Sequence, residues 1–401
     1  MALPSCLAAP ARGEPTASFV RFDRLAHAGA DLSVVFFGAS LTWGANASDP
    51  QQTSYRPDLA RRLETTYPRA HFRFFDASIG GTGSQLGIFR LERDVLRRKP
   101  DLVFLDFTAN DGLYSADPET LTSYEALIRR LVMEAHAPVV QVMFCFAGDV
   151  ARGNTQGMVR RDAHLVLSRA YHTAVGDAIA LGQRRVREGE TTVSKLWDID
   201  GGHPGDAGYA LFADAAWAGF QEGVHRGLVC AVPAKMLYAD TYMTSRRVRL
   251  THLGPLPPGW QPDRPNRISA YYDMLMSRWL DDEAVASVLP GRAVDPLRVR
   301  FRGSMALLFG EETPKSCRYR VTVDGRPSEY DAGDVARGAS GNVRLVQTVA
   351  QGLDPGVWHT LEILPLQGNG QELRLESLCV AGGPADIEVA GKPGVGGGQQ
   401  P

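Results

Sequence analysis

Val34-Val35-Phe36-Phe37-Gly38-Ala39-Ser40-Leu41-Thr42-Trp43-Gly44 is the stretch on which the reading of this chain turns. Four β-favouring apolar residues run into two small ones, and a serine follows at once. A continuous apolar run bounded by small residues reads as a strand buried on both faces of a parallel sheet. Such a strand delivers Ser40 to its C-terminal end, the edge at which open α/β sheets bind ligands. A hydroxyl placed there is a weak nucleophile until a base takes its proton. The fold and the chemistry therefore depend on what else reaches that edge.

Working outward, Arg73-Phe74-Phe75-Asp76-Ala77-Ser78-Ile79 reads as a second strand and runs into Gly80-Gly81-Thr82-Gly83. Leu102-Val103-Phe104-Leu105-Asp106-Phe107 reads as a third and runs into Thr108-Ala109-Asn110-Asp111-Gly112. Helical patterns over 56–67 and 84–98 separate the three. Each helix carries the chain back to its starting edge, so the strands pair in parallel and their C-terminal ends share one edge. A serine, a glycine backbone and an asparagine amide converge there by topology.

A base comes from Asp198-Ile199-Asp200-Gly201-Gly202-His203-Pro204-Gly205-Asp206, a tight loop feeding a helix over 206–223. An Asp three residues before a His folds back to an imidazole nitrogen, fixing the tautomer and leaving the other nitrogen free as base. Asp200 is preferred to Asp198, which sits in the strand-like Leu196-Trp197-Asp198-Ile199. Asp206 reads as first-turn helix chemistry.

Taken together, Ser40 in Gly-Ala-Ser-Leu, Gly81 after the second strand, Asn110 in Ala-Asn-Asp and the Asp200-Gly-Gly-His203-Pro loop resemble the four signature blocks of the SGNH (GDSL-type) hydrolases. The likeness covers roughly residues 30–225. It implies a flavodoxin-like three-layer α/β/α fold and ester hydrolysis through an acyl-serine. Carried over residue by residue, it implies Ser40 as nucleophile, His203 as base and Asp200 as orienter. The oxyanion donors it implies are the backbone N–H groups of Ser40 and Gly81 and the Asn110 side chain. Two positions depart from the family pattern: Ala39 replaces the usual acidic residue, and Thr108 the usual glycine two before the asparagine. Neither supplies a proton or an oxyanion donor in this scheme. Trp43 is a candidate for the acyl pocket, with Phe107, Phe146 and Trp197 behind it.

Other chemistries are set aside. Gly81-Thr82-Gly83-Ser84-Gln85-Leu86-Gly87 is one residue too long for a dinucleotide loop and follows the wrong strand. Asp76, Asp106 and Asp149 are scattered without paired histidines, so neither a metal nor a cofactor is expected. No G-x-S-x-G elbow surrounds Ser40, which argues against the α/β-hydrolase fold. Ser340, in Gly338-Ala-Ser-Gly, repeats the local string but lies between β runs and reads as a loop residue.

The chain has 401 residues, 43 Lys+Arg against 45 Asp+Glu and a formal net charge of −2. That balance draws it to neither nucleic acid nor anionic membrane, and no apolar run is long enough to span a bilayer. The N-terminal Met1-Ala-Leu-Pro-Ser-Cys6-Leu-Ala-Ala-Pro-Ala reads equally as the remnant of a trimmed export signal or as a loose arm. The compartment stays open on this ground: secreted or periplasmic in the first case, cytoplasmic otherwise. The five cysteines show no C-x-x-C spacing, which argues against a zinc site. Cys145 reads as a buried thiol in an apolar strand over 139–146, while Cys317 and Cys379 are left open as a possible pair.

Beyond about residue 224 helical periodicity fades. Leu253-Gly-Pro-Leu-Pro-Pro-Gly-Trp260-Gln-Pro-Asp-Arg-Pro265 reads as a stiff connection lying back across the first domain, followed by a short amphipathic helix over 271–280. Short runs over 297–301, 305–309, 319–323, 343–346, 360–364 and 373–377 alternate with period two, which reads as an all-β sandwich. It resembles the jelly-roll modules that accompany carbohydrate esterases. The expected division is an N-terminal arm at 1–28, an SGNH hydrolase domain at 29–227, a jelly-roll-like domain at 228–388 and a flexible tail at 389–401. The expected activity is hydrolysis of short-chain esters, such as O-acetyl groups on a small-molecule or polysaccharide substrate. A broad carboxylesterase, thioesterase or lysophospholipase, an O-acyltransferase, and a carbohydrate-binding protein with an inactive hydrolase domain are the rival readings. Oligomeric state is left open.

Overall fold

The computed structural model describes residues 16–265, 282–287, 293–334, 343–366, 368 and 370–389. Cys6, the segment 271–280, Ser340 and the tail from 391 lie outside the described residues. The first half alternates helix and strand: α1 (Phe19–His27), β1 (Asp31–Gly38), α2 (Ser40–Trp43), α3 (Tyr55–Thr66), β2 (His71–Ser78), α4 (Ser84–Asp94), β3 (Leu102–Leu105), α5 (Pro118–Arg130), β4 (Val139–Met143), α6 (Ala147–Ala151), α7 (Val159–Tyr171), β5 (Ala174–Asp177), α8 (Ala178–Arg187), α9 (Val193–Leu196) and α10 (Asp206–His225). The five strands form one parallel sheet in the order β2-β1-β3-β4-β5. The chain passes from β1 to one side and returns to the other, so the crevice between the ends of β1 and β3 is a topological switch point. Helices α1, α3, α8 and α10 pack together, as do α4, α5 and α7, making the two helical layers.

β1 is buried along all but its first residue, which is why it reads as an unbroken apolar run. Gly38 ends it because nothing larger fits. A Cβ there would lie 2.0 Å from Thr42 Oγ1 and 2.7 Å from the Asp106 carbonyl.

Residues 19–27, grouped with an N-terminal arm on sequence grounds, are instead a packed helix. Ser18 caps it, and Phe19 and Phe22 bury against Phe220 of α10. The chain after α10 also stays on this body. Leu228 O accepts from Phe19 N, Cys230 N donates to Ala17 O, and Leu237 and Tyr238 N–H groups donate to the buried Glu125 carboxylate. The α/β body therefore extends past residue 227, because these backbone groups find their partners there.

The second half is antiparallel: β6 (Ser245–Arg249), β7 (Trp260–Asp263), β8 (Glu283–Ser287), β9 (Leu297–Arg302), β10 (Met305–Glu312), β11 (Arg318–Val323), β12 (Arg326–Asp331), β13 (Val343–Ala350), β14 (His359–Leu366), β15 (Glu372–Ala381) and β16 (Asp386–Val389). One sheet runs β13-β10-β15-β8-β7, with β6 also on β15; the other runs β12-β11-β14-β9-β16. Val299, Phe301, Tyr319, Val321 and Ile363 of the second sheet share a core with Ala306, Leu308, Leu378 and Val380 of the first. The Pro-rich passage does not lie across the first domain. Leu253 and Leu256 pack on the sandwich core, and the passage ends as β7, whose one partner among the described residues is β8. Pro262 is tolerated there because an edge strand leaves one row of ladder donors unused. Cys145, Cys230, Cys317 and Cys379 are all free, buried thiols.

Candidate active site

The parallel sheet brings three strand ends together. Gly38 pairs with Ser78, and Phe37 with Leu105. Ser40 follows β1 by two residues and opens α2. Gly81 follows β2 by three, and Asn110 lies in the turn after β3. His203 comes from the loop before α10. Its Nε2 lies 2.9 Å from Ser40 Oγ. With the imidazole proton on Nδ1, the serine hydroxyl donates to Nε2, the arrangement a general base requires.

The Asp200 contact is looser than a hydrogen bond, with Oδ2 4.0 Å from His203 Nδ1. Oδ1 accepts from the backbone N–H groups of Gly202 at 2.6 Å and His203 at 2.8 Å. Oδ2 accepts from Asn46 Nδ2 at 2.7 Å. Asp200 thus builds the turn that presents His203 and holds a negative charge beside it. The Asp198 carboxylate packs against Gly205, where a Cβ would lie 2.2 Å from Oδ1.

Burial lowers the His203 pKa below its ordinary 6.5, and the Asp200 charge opposes that only in part. Neutral imidazole, the form that acts as base, is favoured. Burial raises the Asp200 pKa, but hydrogen bonds from His203 N–H, Asn46 and Gly202, with the nearby imidazole, outweigh it and hold the carboxyl below its ordinary range.

Gly81 has φ +64, a left-handed conformation suited to glycine, so its peptide N–H can turn toward the edge. The Asn110 side chain makes no hydrogen bond to another described residue, and its Oδ1 is buried without a partner. Thr108, which departs from the family pattern, is fully buried with Oγ1 3.0 Å from His164 Nδ1, and that ring stacks on Tyr124. The extra side chain is absorbed by the core beneath the turn. Ala39, the other departure, is fully buried and precedes α2.

Several supporting residues escaped the sequence reading. Arg56 donates to the carbonyls of Thr42 at 2.8 Å and Trp43 at 2.8 Å and pairs with Asp76 at 3.2 Å, pinning the turn that carries Ser40. The fully buried Arg90 donates to Gly38 O at 2.7 Å and Ala77 O at 2.6 Å, tying the ends of β1 and β2. Asp206 accepts from Ser48 N and Oγ and from Thr53 Oγ1, clasping the loop after β1 to the histidine loop. Their partners are mostly distant in sequence, so no local pattern marks them. Among the aromatic candidates, Phe107 is a correction. It is 0% exposed and packs edge-on against Phe37, so it belongs to the core and lines no pocket. Trp43 is 6% exposed and Trp197 6%, the latter edge-on to Phe212. Phe146 is half-buried beside Ala147, whose N–H donates to Gly201 O in the histidine loop. Among the described residues no group of three His, Cys, Asp or Glu is placed to hold a metal ion, and no helix is long and apolar enough to cross a membrane.

Residues 36–211 match the sequence model of the GDSL-like Lipase/Acylhydrolase family. No curated protein matches the chain. Among solved structures, a two-domain esterase (CEX) active on acetylated mannans is similar over 92% of this chain and 99% of its own, with 23% identity and TM-score 0.75. A second structure of that esterase, co-crystallized with mannopentaose, covers 92% and 98% with 22% identity and TM-score 0.74. Axe2, an acetylxylan esterase from Geobacillus stearothermophilus, covers 47% of this chain and 94% of its own, with 22% identity and TM-score 0.38. The two-domain likeness shows the fold: a parallel α/β unit followed by antiparallel sheets. Residues 36–211 are therefore similar to the GDSL-like lipases and acylhydrolases, and the activity this likeness supports is that of a carboxylic ester hydrolase.

Proposed function

We propose that this chain removes short acyl groups, acetyl above all, from carbohydrate hydroxyls by a two-step reaction on Ser40. The observation that carries the mechanism is the 2.9 Å approach of His203 Nε2 to Ser40 Oγ at the C-terminal edge of β1. His203 takes the serine proton as Oγ attacks the ester carbonyl. The tetrahedral oxyanion forms against the N–H groups of Ser40 and Gly81 and the Asn110 amide, each donor of this kind being worth about 3 kcal/mol of barrier. His203 then gives its proton to the departing sugar alkoxide. Water enters, loses a proton to His203 and attacks the acyl carbon, and Ser40 leaves with that proton restored. Asp200 supports the imidazolium that forms in each half-reaction.

In this reading residues 16–243 are the hydrolase unit and 245–389 the sandwich beside it. The carbohydrate acetyl ester is suggested by the mannan-active esterase, which shares both halves of the architecture. Small acyl groups also suit a serine that is only 6% exposed.

The test is acid release from acetylated mannan, acetylated xylan and nitrophenyl esters of rising chain length. Ser40→Ala and His203→Ala should each lower turnover by about 10³-fold or more, and the double variant should be little worse, because such groups act as a unit. Wild-type turnover by folded Ser40→Ala would overturn the mechanism. A rate rising with acyl length would favour a broad carboxylesterase. Acyl groups appearing on a second sugar instead of as free acid would favour a transferase.

A further inference from the structure

The antiparallel sheet sends its edge strand, β13, to the strand edge that carries Ser40. A Cβ built on Gly81 would lie 2.3 Å from Arg344 Nη1, 2.6 Å from Cζ and 2.8 Å from Nη2. Three guanidinium atoms at such similar distances mean that the flat cation lies face-on against Gly81. Arg344 sits near the start of β13, and the strand is fixed beyond its other end as well. Gln351 Nε2 donates to Glu119 Oε2 at 3.1 Å in the first turn of α5, and the same carboxylate oxygen accepts from Tyr242 Oη at 3.1 Å. The ladder with β10 slips by one residue between Ala306 and Leu307. That bulge turns Gln351 onto the face that carries Arg344. Leu345, next to Arg344, points the opposite way into the sandwich core. Arg344 is therefore presented by a strand anchored in the sandwich and on the α/β body.

We propose that Arg344 is a working part of the esterase site, supplied by the sandwich. Its fixed cation lies over Gly81, beside the place of the oxyanion, and stabilises negative charge developing on the carbonyl oxygen. A guanidinium keeps its charge throughout the working pH range and offers a planar surface that an ammonium cannot. In a site shielded from water such a charge acts more strongly than in solvent. The hydrolase then depends on its second domain for the chemical step. The inference rests on the reading of Gly81 as an oxyanion donor.

The test uses the full chain with Arg344→Gln, Arg344→Lys, Arg344→Ala and, as a separate control, Ser40→Ala. Acetate release is followed on nitrophenyl acetate and on an acetylated mannan oligosaccharide, with thermal melts to establish folding. Arg344→Gln should lower kcat by ten- to a hundredfold on both esters, with KM for nitrophenyl acetate within threefold of wild type. Arg344→Lys should recover part of that loss, and millimolar guanidinium ion should restore part of the turnover of Arg344→Ala. Unchanged kcat on both esters in a folded Arg344→Gln, with Ser40→Ala inactive, would overturn the proposal. A loss confined to KM for the oligosaccharide would also overturn it, by moving Arg344 to glycan binding. Retained activity in Ser40→Ala would instead bring down the reading of the site itself, so the two failures are told apart by which variant stays active.

Discussion

At His203 the balance of burial against charge sets a pH dependence whose sign can be worked out. In the proposed mechanism neutral imidazole is the base, so turnover should be present above the His203 pKa and lost as pH falls through it. Burial lowers that pKa, and Asp200 raises it in part. The acid limb of kcat/KM should therefore lie below pH 6.5, the ordinary histidine value. Asp200→Asn removes the raising charge, so the limb should move to still lower pH while the plateau falls by about 10²-fold, since the imidazolium loses its support. Asp198→Asn should change neither, because that carboxylate faces Gly205. A limb that stays in place or moves upward in Asp200→Asn would show that the charge does not hold the His203 pKa up. The preference for Asp200 over Asp198 was legible from a three-residue spacing. The engagement of both its oxygens by the turn and Asn46 was not. Asn46 lies 154 residues away in a polar loop, and nothing local distinguishes it from any other loop asparagine.

The strands around the site differ in how openly the sequence announces them, and the difference is burial. β1 and β3 are apolar on both faces, and the runs that carry Ser40 and Asn110 stand out. β5, only four residues long and half-buried at alternate positions, has no such run and is visible only once paired with β4. Asp106, just past β3, reads as one more acidic residue among apolar neighbours, yet it is fully buried. One carboxylate oxygen accepts from Thr42 Oγ1 at 2.9 Å, and the other has no partner. Burial pushes its pKa up to about 8, the Thr42 bond holds it back in part, and Asp111 adds to the rise. The folded chain thus keeps a proton that the unfolded chain gives up near pH 4. A raised carboxyl of this kind contributes stability that is fully present below the unfolded value and is lost as pH rises toward 8. Asp106→Asn cannot ionise and keeps an acceptor for Thr42. Its melting temperature relative to wild type should climb between pH 4 and pH 8 and then level off. An offset that stays flat across that range in thermal melts would show that Asp106 is ionised in the fold.

On the scale of the whole molecule, the run Met305-Ala306-Leu307-Leu308-Phe309 carries the most information that the strand rhythm concealed. Taken with its neighbours it passes for one more alternating strand of a free-standing sandwich, whose outer face would meet water. Its residues are apolar at both parities, and every position of β10 is buried. Ala306 and Leu308 enter the sandwich core, while Met305, Leu307 and Phe309, with Cys379 and Ala381 of β15, join the core of the α/β body. One sheet therefore serves two cores. Arg247, paired with Glu376 and lying over the Phe309 ring at 4.9 Å, closes a polar border around that contact. Two halves that share a core should unfold together. Thermal or urea unfolding should show a single transition, with the near-ultraviolet signal of the tryptophans and the secondary-structure signal coinciding. Leu307→Ala should cost about 2–5 kcal/mol as a buried truncation, and Leu308→Ala a similar amount. They should differ in activity, because Leu307 faces the hydrolase and Leu308 faces away from it. Loosening the first contact frees the sheet that holds β13 against the Gly81 loop, so Leu307→Ala should lower kcat on nitrophenyl acetate below that of Leu308→Ala when both are assayed well below their melting points. Two separate transitions in the wild-type chain, or equal kcat in the two variants, would mean that the sheet only rests on the hydrolase and leaves its chemistry alone.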